Sequence, residues 1–369
     1  MIKRILLGSD YPAGPALNIK QMTKRREFIK QVSAAAILSS VPDVLLSQQK
    51  PSDNRIWANL IHLSYNCWED HLIDEYKDEN YECTTCMDAR LWAHGYRPNL
   101  TFDDNTWNAL LQEMVNVGMN MVVVDVGDAV QYESHPEIAV NNAWSKKKLH
   151  DELAKMRKMG LEPIPKLNFA TTHDIWLGEY ARMVSTRKYY DVCRDLIAEL
   201  IDLFNKPRFF HLGMDEETAQ HQVKQDYVVI RQNDLWWADL YFLIGEVERN
   251  GSRSWIWSDY VWHHPELFFK KMPKSVLQSN WYYGTKFGPG EEPAKYYDEL
   301  ERHGYDQVPT GSNHSNPDNF GMTVDYCKEV IDAERLLGFM TAPWRPTLAP
   351  CLDRHKEAIQ QVGKAIKNY

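Results

Sequence analysis

The chain carries no excess of positive charge: 42 Lys and Arg stand against 51 Asp and Glu, a formal net charge of −9. Phosphate binding needs a basic face that releases counterions, so nucleic acid is excluded as a partner. Long apolar runs are missing too. The run from Val32 to Leu38 falls far short of the roughly 20 residues a spanning helix requires, and no membrane span is expected in the mature protein. Neither G-x-G-x-x-G nor G-x-x-x-x-G-K-[ST] follows any β-type run, which removes the usual phosphate cradles, and H-E-x-x-H is absent. Cysteine is scarce. Of six residues, Cys83 and Cys86 form a lone C-x-x-C, which lacks the four ligands of a structural zinc site and leaves a local disulfide, a metal clip or free thiols open. His62, His173, His211 and His314 fall near strand ends without a ligand spacing, so no metal and no cofactor is expected.

What the chain has in quantity is rings, 13 Trp and 19 Tyr, within an otherwise ordinary globular composition of 44% apolar and 25% charged residues. Flat apolar faces with polar edges suit the C–H faces of sugars, and they equally suit a core. Residues 22–40, "MTKRREFIKQVSAAAILSS", put adjacent arginines before Phe-Ile-Lys and a short Ala-rich run, a pattern that resembles a twin-arginine export signal. This reading makes Met22 the start, 1–21 an upstream extension, 22–50 signal and leader with a cut near Ser47 to Ser52, and 51–369 the folded domain of an exported, periplasmic protein.

From residue 55, β-type runs alternate with amphipathic helical stretches eight times. "MNMVVVDVGDAV" has no polar alternation, as a strand buried on both faces requires. "DDNTWNALLQEMVNVG" reads as a helix capped by Asp103 or Asp104 and stopped by Gly118. Strict alternation implies parallel strands with right-handed crossovers. Eight units predict a single (β/α)8 barrel, with an open doubly wound sheet as the alternative.

Barrel chemistry lies at the C-terminal ends of the strands. Those ends supply Asn66 and Trp68, Asp125 and Asp128, Asn168 and His173, Asp215 and Glu216, Trp257, Asp259 and Trp262, then Trp281, Tyr282 and Tyr283, Asn313 and His314, and Trp344 and Arg345. Carboxylates, amides, imidazoles and rings are the set that lines a carbohydrate pocket. The fourth run leads into "HLGMDEET", residues 211–218, which has two readings. Asp215 and Glu216 form a catalytic pair, or the three acids open a helix, where they would favour the positive end of its dipole.

"HLGMDEE" resembles the His-x-Gly-Gly-Asp-Glu signature of glycoside hydrolase family 20, the β-N-acetylhexosaminidases. "GLEPIPKLNFATTH" is similar to the family's third-strand segment, and Trp257 and Trp281 stand where it places pocket tryptophans; the likeness spans roughly residues 100–345. The resemblance implies a retaining hydrolysis in which the substrate's 2-acetamido oxygen attacks the anomeric carbon, an exception to the two-carboxylate scheme. Glu216 would protonate the leaving oxygen and Asp215 would stay ionised to orient the acetamide N–H. Tyr282 or Tyr283 would hold the acetamide oxygen, with Asn168, His173, Trp257, Asp259, Trp281, Asn313, Trp344 and Arg345 as further substrate-binding candidates and His211 as a packed support.

Several positions depart from the family pattern. Met214 replaces the second glycine, Lys166 and Asn168 stand where acids are usual, and Thr172 precedes His173 in place of glycine. No arginine follows the first strand, and Arg345 and Pro346 follow Trp344 where an acid is expected. The acid apparatus persists while the sugar grip changes, which implies a related reaction on a different sugar, one that Lys166 or Arg345 could pair with if acidic. The expected partner is an oligosaccharide or glycoconjugate substrate. The alternatives are a barrel that binds carbohydrate without turnover and a metal-dependent hydrolase.

Overall fold

A computed structural model describes residues 55–71 and 95–369. The segments read as upstream extension and export signal, and the Cys83–Cys86 pair, lie outside the described residues. Among those described, eight strands form one all-parallel sheet: β1 (Ile56–His62), β2 (Met121–Asp125), β3 (Glu162–Lys166), β4 (Phe209–His211), β5 (Arg253–Trp257), β6 (Leu277–Ser279), β7 (Thr310–Gly311) and β8 (Gly338–Thr341). The ladder runs β6-β5-β4-β3-β2-β1-β8-β7. Isolated parallel bridges at Gln278–Gln307 and Trp281–Thr310 close the last seam between β6 and β7. The result is the (β/α)8 barrel that the eightfold alternation predicts.

Helices α1 (Asp104–Val117), α2 (Lys146–Lys158), α3 (Arg187–Leu203), α4 (Asp234–Arg249), α5 (Tyr260–His263), α6 (Pro265–Lys271), α7 (Tyr296–Arg302), α8 (Asn319–Val330) and α9 (Leu352–Asn368) connect and surround the strands. Asp103 caps α1 by accepting from Thr106 N at 2.6 Å, and Gly118 ends it in the left-handed region at φ 91°. Gly363 of α9 faces α1 so closely that an added Cβ would meet Val117 Cβ at 2.7 Å. No described helix is long and apolar enough to cross a membrane.

Inside the barrel, alternate residues of the strands build the core: Ala58 and Leu60, Met121 and Val123, Ile164, Phe209, Trp255 and Trp257, Leu277, Val308, Met340 and Ala342. The next inward positions along β1 to β4 are polar. His62 pairs in register with Asp125, Asp125 with Lys166, and Lys166 with His211. A polar layer therefore caps the apolar one at the C-terminal mouth.

β3 carries two prolines in a central strand, normally a disfavoured place because each removes a ladder donor. Glu162 N and Lys166 O bond toward β2, while Leu167 N and Phe169 N donate toward β4. Pro163 and Pro165 share that second edge, so the β3–β4 ladder starts only at Lys166–His211. The missing donors delay the β3–β4 ladder, and left-handed backbone from Gly213 onward ends β4 after three residues where the sequence suggests a run over 208–214.

Candidate active site

After β4 the chain leaves the extended conformation abruptly. Gly213, Met214 and Glu216 all have left-handed φ, at 69°, 76° and 55°. Such angles cost energy for any residue with a Cβ and persist only where surroundings fix them. Here Asn168 Oδ1 accepts Met214 N at 3.2 Å, Asp259 Oδ2 accepts Glu216 N at 2.8 Å, and Thr172 Oγ1 donates to Glu216 O at 2.7 Å. Glycine is required at 213, since an added Cβ would lie 2.0 Å from Asn168 Oδ1 and 2.7 Å from Asn168 Cα. None of the three acids starts a helix: a 3-10 turn follows at Gln220–Gln222, and α4 begins at Asp234. The helix-start reading of 215–217 is thereby corrected, because the left-handed residues cannot join an α-helical turn.

The bend brings neighbouring carboxylates to one imidazole. His173 Nε2 lies 3.4 Å from Asp215 Oδ2 and 3.3 Å from Glu216 Oε2. Burial alone would lower the His173 pKa, but Asp215 and Glu216 outweigh it and raise it to about 10, so the ring is a cation at neutral pH. Asp215 is likewise fully buried, yet His173 and the 2.7 Å hydrogen bond from Asn168 Nδ2 hold it ionised, at about 2. Burial and the nearby Asp215 charge push the Asp259 carboxyl well above the usual carboxylate range. Glu217 has a different task. It pairs with fully buried Arg231 and accepts Arg231 N at 2.7 Å, which pins the far end of the loop that starts at the pair.

Beside Asp215 lies a narrow recess open to solvent, with about 10 Å³ accessible to the centre of a water-sized sphere, lined by His62, Cys67, Trp68, Asp125, Lys166, Asn168, His173, Asp215 and Trp344. Its floor is the polar layer of the strands. Lys166 Nζ sits 2.5 Å and His62 Nδ1 3.1 Å from the same Asp125 oxygen. Burial would raise the Asp125 pKa, but Lys166 and His62 hold it well below the ordinary range, and burial keeps His62 itself neutral. His211 is fully buried between Trp255 and Trp257 and accepts Gly213 N at 3.1 Å; burial depresses its pKa, so it is a neutral support.

The predicted residues divide by which way they point. Asn168, His173, Asp215 and Trp344 line the recess; Glu216 is not a lining residue but reaches His173 at 3.3 Å, and Asp259 accepts Glu216 N. Trp344 Nε1 donates to Tyr283 OH at 2.9 Å, Trp281 stacks on Tyr283, and Trp257 packs 6.0 Å from the Trp344 ring. Tyr282 turns away to Glu291 at 3.3 Å. Asn313 donates to Arg354 O and Glu357 of the closing helix α9, and Arg345 folds onto the carbonyls of its own loop and His314. None of these three is a lining residue of the recess. His62 and Cys67 line it although strand-end reading gave them no binding role, and Lys166, expected to pair with an acidic sugar, lines it with its ammonium on Asp125. The signal for His62 and Lys166 was parity: each sits a whole number of two-residue steps from an apolar interior position of its strand.

Among the described residues, three groups of side chains come close enough to share a cation: His62, Cys67 and Asp125; Asp70, His71 and Asp226; and His173, Asp215 and Glu216. In the first, the Lys166 ammonium already faces the Asp125 oxygen used by His62, and a divalent ion would have to share that oxygen with it.

No family model and no curated protein matches the chain in sequence. Solved structures do match in fold. The chain is similar to a glycoside hydrolase family 20 β-N-acetylhexosaminidase from Streptomyces coelicolor A3(2), with a TM-score of 0.53 at 11% identity over 83% of this chain and 63% of that one. It is similar to the family 20 exo-β-N-acetylglucosaminidase of Vibrio harveyi in complex with N-acetylglucosamine, with a TM-score of 0.51 at 13% identity over 85% and 57% of the two chains. The β-N-acetylhexosaminidase of Bacteroides fragilis NCTC 9343 gives 0.51 at 11% identity over 82% and 65%. The chain spans less than two thirds of the length of each. At such identity the likeness is one of fold.

Proposed function

We propose that the chain is a glycoside hydrolase, acting with retention on an N-acetylhexosaminide or a related sugar. The observation that carries this reading is the single His173 imidazole set between Asp215 and Glu216 at the mouth of a barrel. An ionised Asp215 can accept the acetamide N–H of a substrate and stabilise positive charge as its oxygen attacks the anomeric carbon. Proton delivery falls to Glu216, with the proton held in the resting site on His173, 3.3 Å away. Tyr283, not Tyr282, is the phenol positioned to hold the acetamide oxygen. Burial raises its pKa, with Glu216 and Asp215 adding to the rise, so it is a donor at neutral pH. Trp257, Trp281 and Trp344 supply apolar wall around it. Likeness in fold to hexosaminidases supports the same reaction class.

The charges at the recess floor also bear on the sugar. Lys166 is committed to Asp125 and Arg345 faces away, so neither is a ready partner for an acidic substituent. A neutral N-acylated sugar fits this floor better than a uronic acid does. The export-signal reading of 22–50 would place the reaction outside the cytoplasm, on periplasmic glycan.

The test is hydrolysis of matched N-acetylated and unsubstituted aryl glycosides by the native protein and by Glu216→Gln. The native protein is expected to hydrolyse the N-acetylated glycosides and not the unsubstituted ones, and the variant to lose about 10²–10⁴-fold in kcat/KM where the leaving group is poor. Binding of sugar without turnover by the native protein would instead mark a carbohydrate-binding barrel.

A further inference from the structure

Among the described residues, the large hydrophobic side chains that stand exposed are Met183, Val223, Tyr227, Val228 and Tyr369. Single exposed apolar residues need no explanation. Four of these five, however, lie in two adjoining loops, those that follow β3 and β4, and the second of these begins at the catalytic pair.

We propose that the exposed face of Tyr227 is a subsite for the leaving-group side of a glycan, the sugar ring next beyond the scissile bond. The proposal rests on the reading of Asp215 and Glu216 as a glycosidase pair. His221, on the same loop, reaches to 3.4 Å from Glu216 Oε1, so the loop leads outward from the acid that would protonate the leaving oxygen. Gln225 then donates to Trp68 O at 3.2 Å and Thr172 O at 3.3 Å, tying the loop to the main chain beside two recess-lining residues, Trp68 and His173. Tyr227 follows two residues later.

The ring is held in a way that offers one face. Arg182 Cζ lies 4.4 Å from the Tyr227 centroid, and Arg182 is fixed by Asp70 at 2.7 Å. The Arg182 side chain is only 7% exposed while Tyr227 is 56% exposed, so the guanidinium lies beneath the ring and the opposite face meets solvent. A rigid aromatic face costs little entropy when a sugar's C–H face stacks on it. Asp226 and His71, 3.5 Å apart at the edge, supply the acceptor and donor that hydroxyls need. Four apolar side chains among such charges do not amount to the roughly 800 Å² per partner that a stable protein contact buries. A single hexose is the occupant that matches.

The experiment compares an N-acetylglucosamine trisaccharide with the glycosyl fluoride of the same sugar, whose leaving group cannot reach Tyr227. In Tyr227→Ala the ratio of kcat/KM on trisaccharide to kcat/KM on fluoride should fall about tenfold, and Tyr227→Trp should restore it. An unchanged ratio with both substrates still hydrolysed overturns the subsite and leaves the catalytic reading standing. If neither substrate is hydrolysed, the catalytic reading fails, and calorimetric titration with the trisaccharide decides the subsite. Weaker binding by Tyr227→Ala than by native protein supports it, and equal or absent binding refutes it.

Discussion

Replacing Met214 by glycine sets two effects of known sign against each other. Met214 has φ 76°, and relief of a left-handed conformation at a residue with a Cβ is worth about 1–2 kcal/mol. Against this, the side chain is buried, with 2% exposure, and its sulfur accepts Arg231 Nη2 at 3.8 Å. Truncating a buried Met to Ala costs about 2–5 kcal/mol, and glycine adds about 0.5–1 kcal/mol through the freer unfolded chain. Packing wins, for a net loss of about 2–3 kcal/mol. Urea unfolding followed by tryptophan fluorescence measures it as a lower midpoint at unchanged slope. A Met214→Gly variant as stable as the native protein, or more so, would refute the claim that packing and the Asn168 cradle, and not backbone freedom, hold this bend.

Gly213→Ala should be worse than Met214→Gly, because the added Cβ strikes Asn168 at 2.0 Å and displaces the donor that holds Asp215; loss of more than about 3 kcal/mol with loss of activity is expected in the same unfolding and rate assays. The folded pKa of His173, about 10, lies above its ordinary 6.5, so its stabilising effect is full below about pH 6.5, declines as pH rises, and is gone above about pH 10. The stability deficit of His173→Asn relative to native protein should therefore shrink between pH 6.5 and 10, and a deficit that grows would contradict the charged assignment. Lys166→Met should cost about 3–5 kcal/mol by leaving Asp125 buried without its ammonium partner, and Lys166→Met with Asp125→Leu should recover most of it in a double-mutant cycle.

The eightfold alternation was legible where a buried parallel strand is a β-branched or aromatic run, as at Met121–Asp125 and Arg253–Trp257, and where a helix is capped, as by Asp103. The neighbourhood of Asp215, Asn168, His173 and Trp344 was legible from strand ends alone. Direction was the harder part. Tyr282 beside Tyr283 and Arg345 beside Trp344 are each adjacent pairs of which the structure turns one member away, and composition cannot choose between neighbours. Counting two-residue steps from Leu277 and Met340 selects Tyr283 and Trp344, and the same count along β1 and β3 selects His62 and Lys166. That count fails at Glu216, where left-handed backbone breaks the alternation and lets two successive carboxylates reach one histidine. Only three-dimensional contacts reveal that Asn168, Thr172 and Asp259 hold those angles.

The central claim, that Glu216 delivers a proton to a departing sugar, is tested most directly by the dependence of rate on leaving group. In Glu216→Gln, hydrolysis of N-acetylhexosaminides should fall by about 10²–10⁴-fold for poor, sugar-like leaving groups. For an activated dinitrophenyl leaving group, which departs without protonation, it should fall far less. An equal loss across the series would contradict the assignment of Glu216 as the acid.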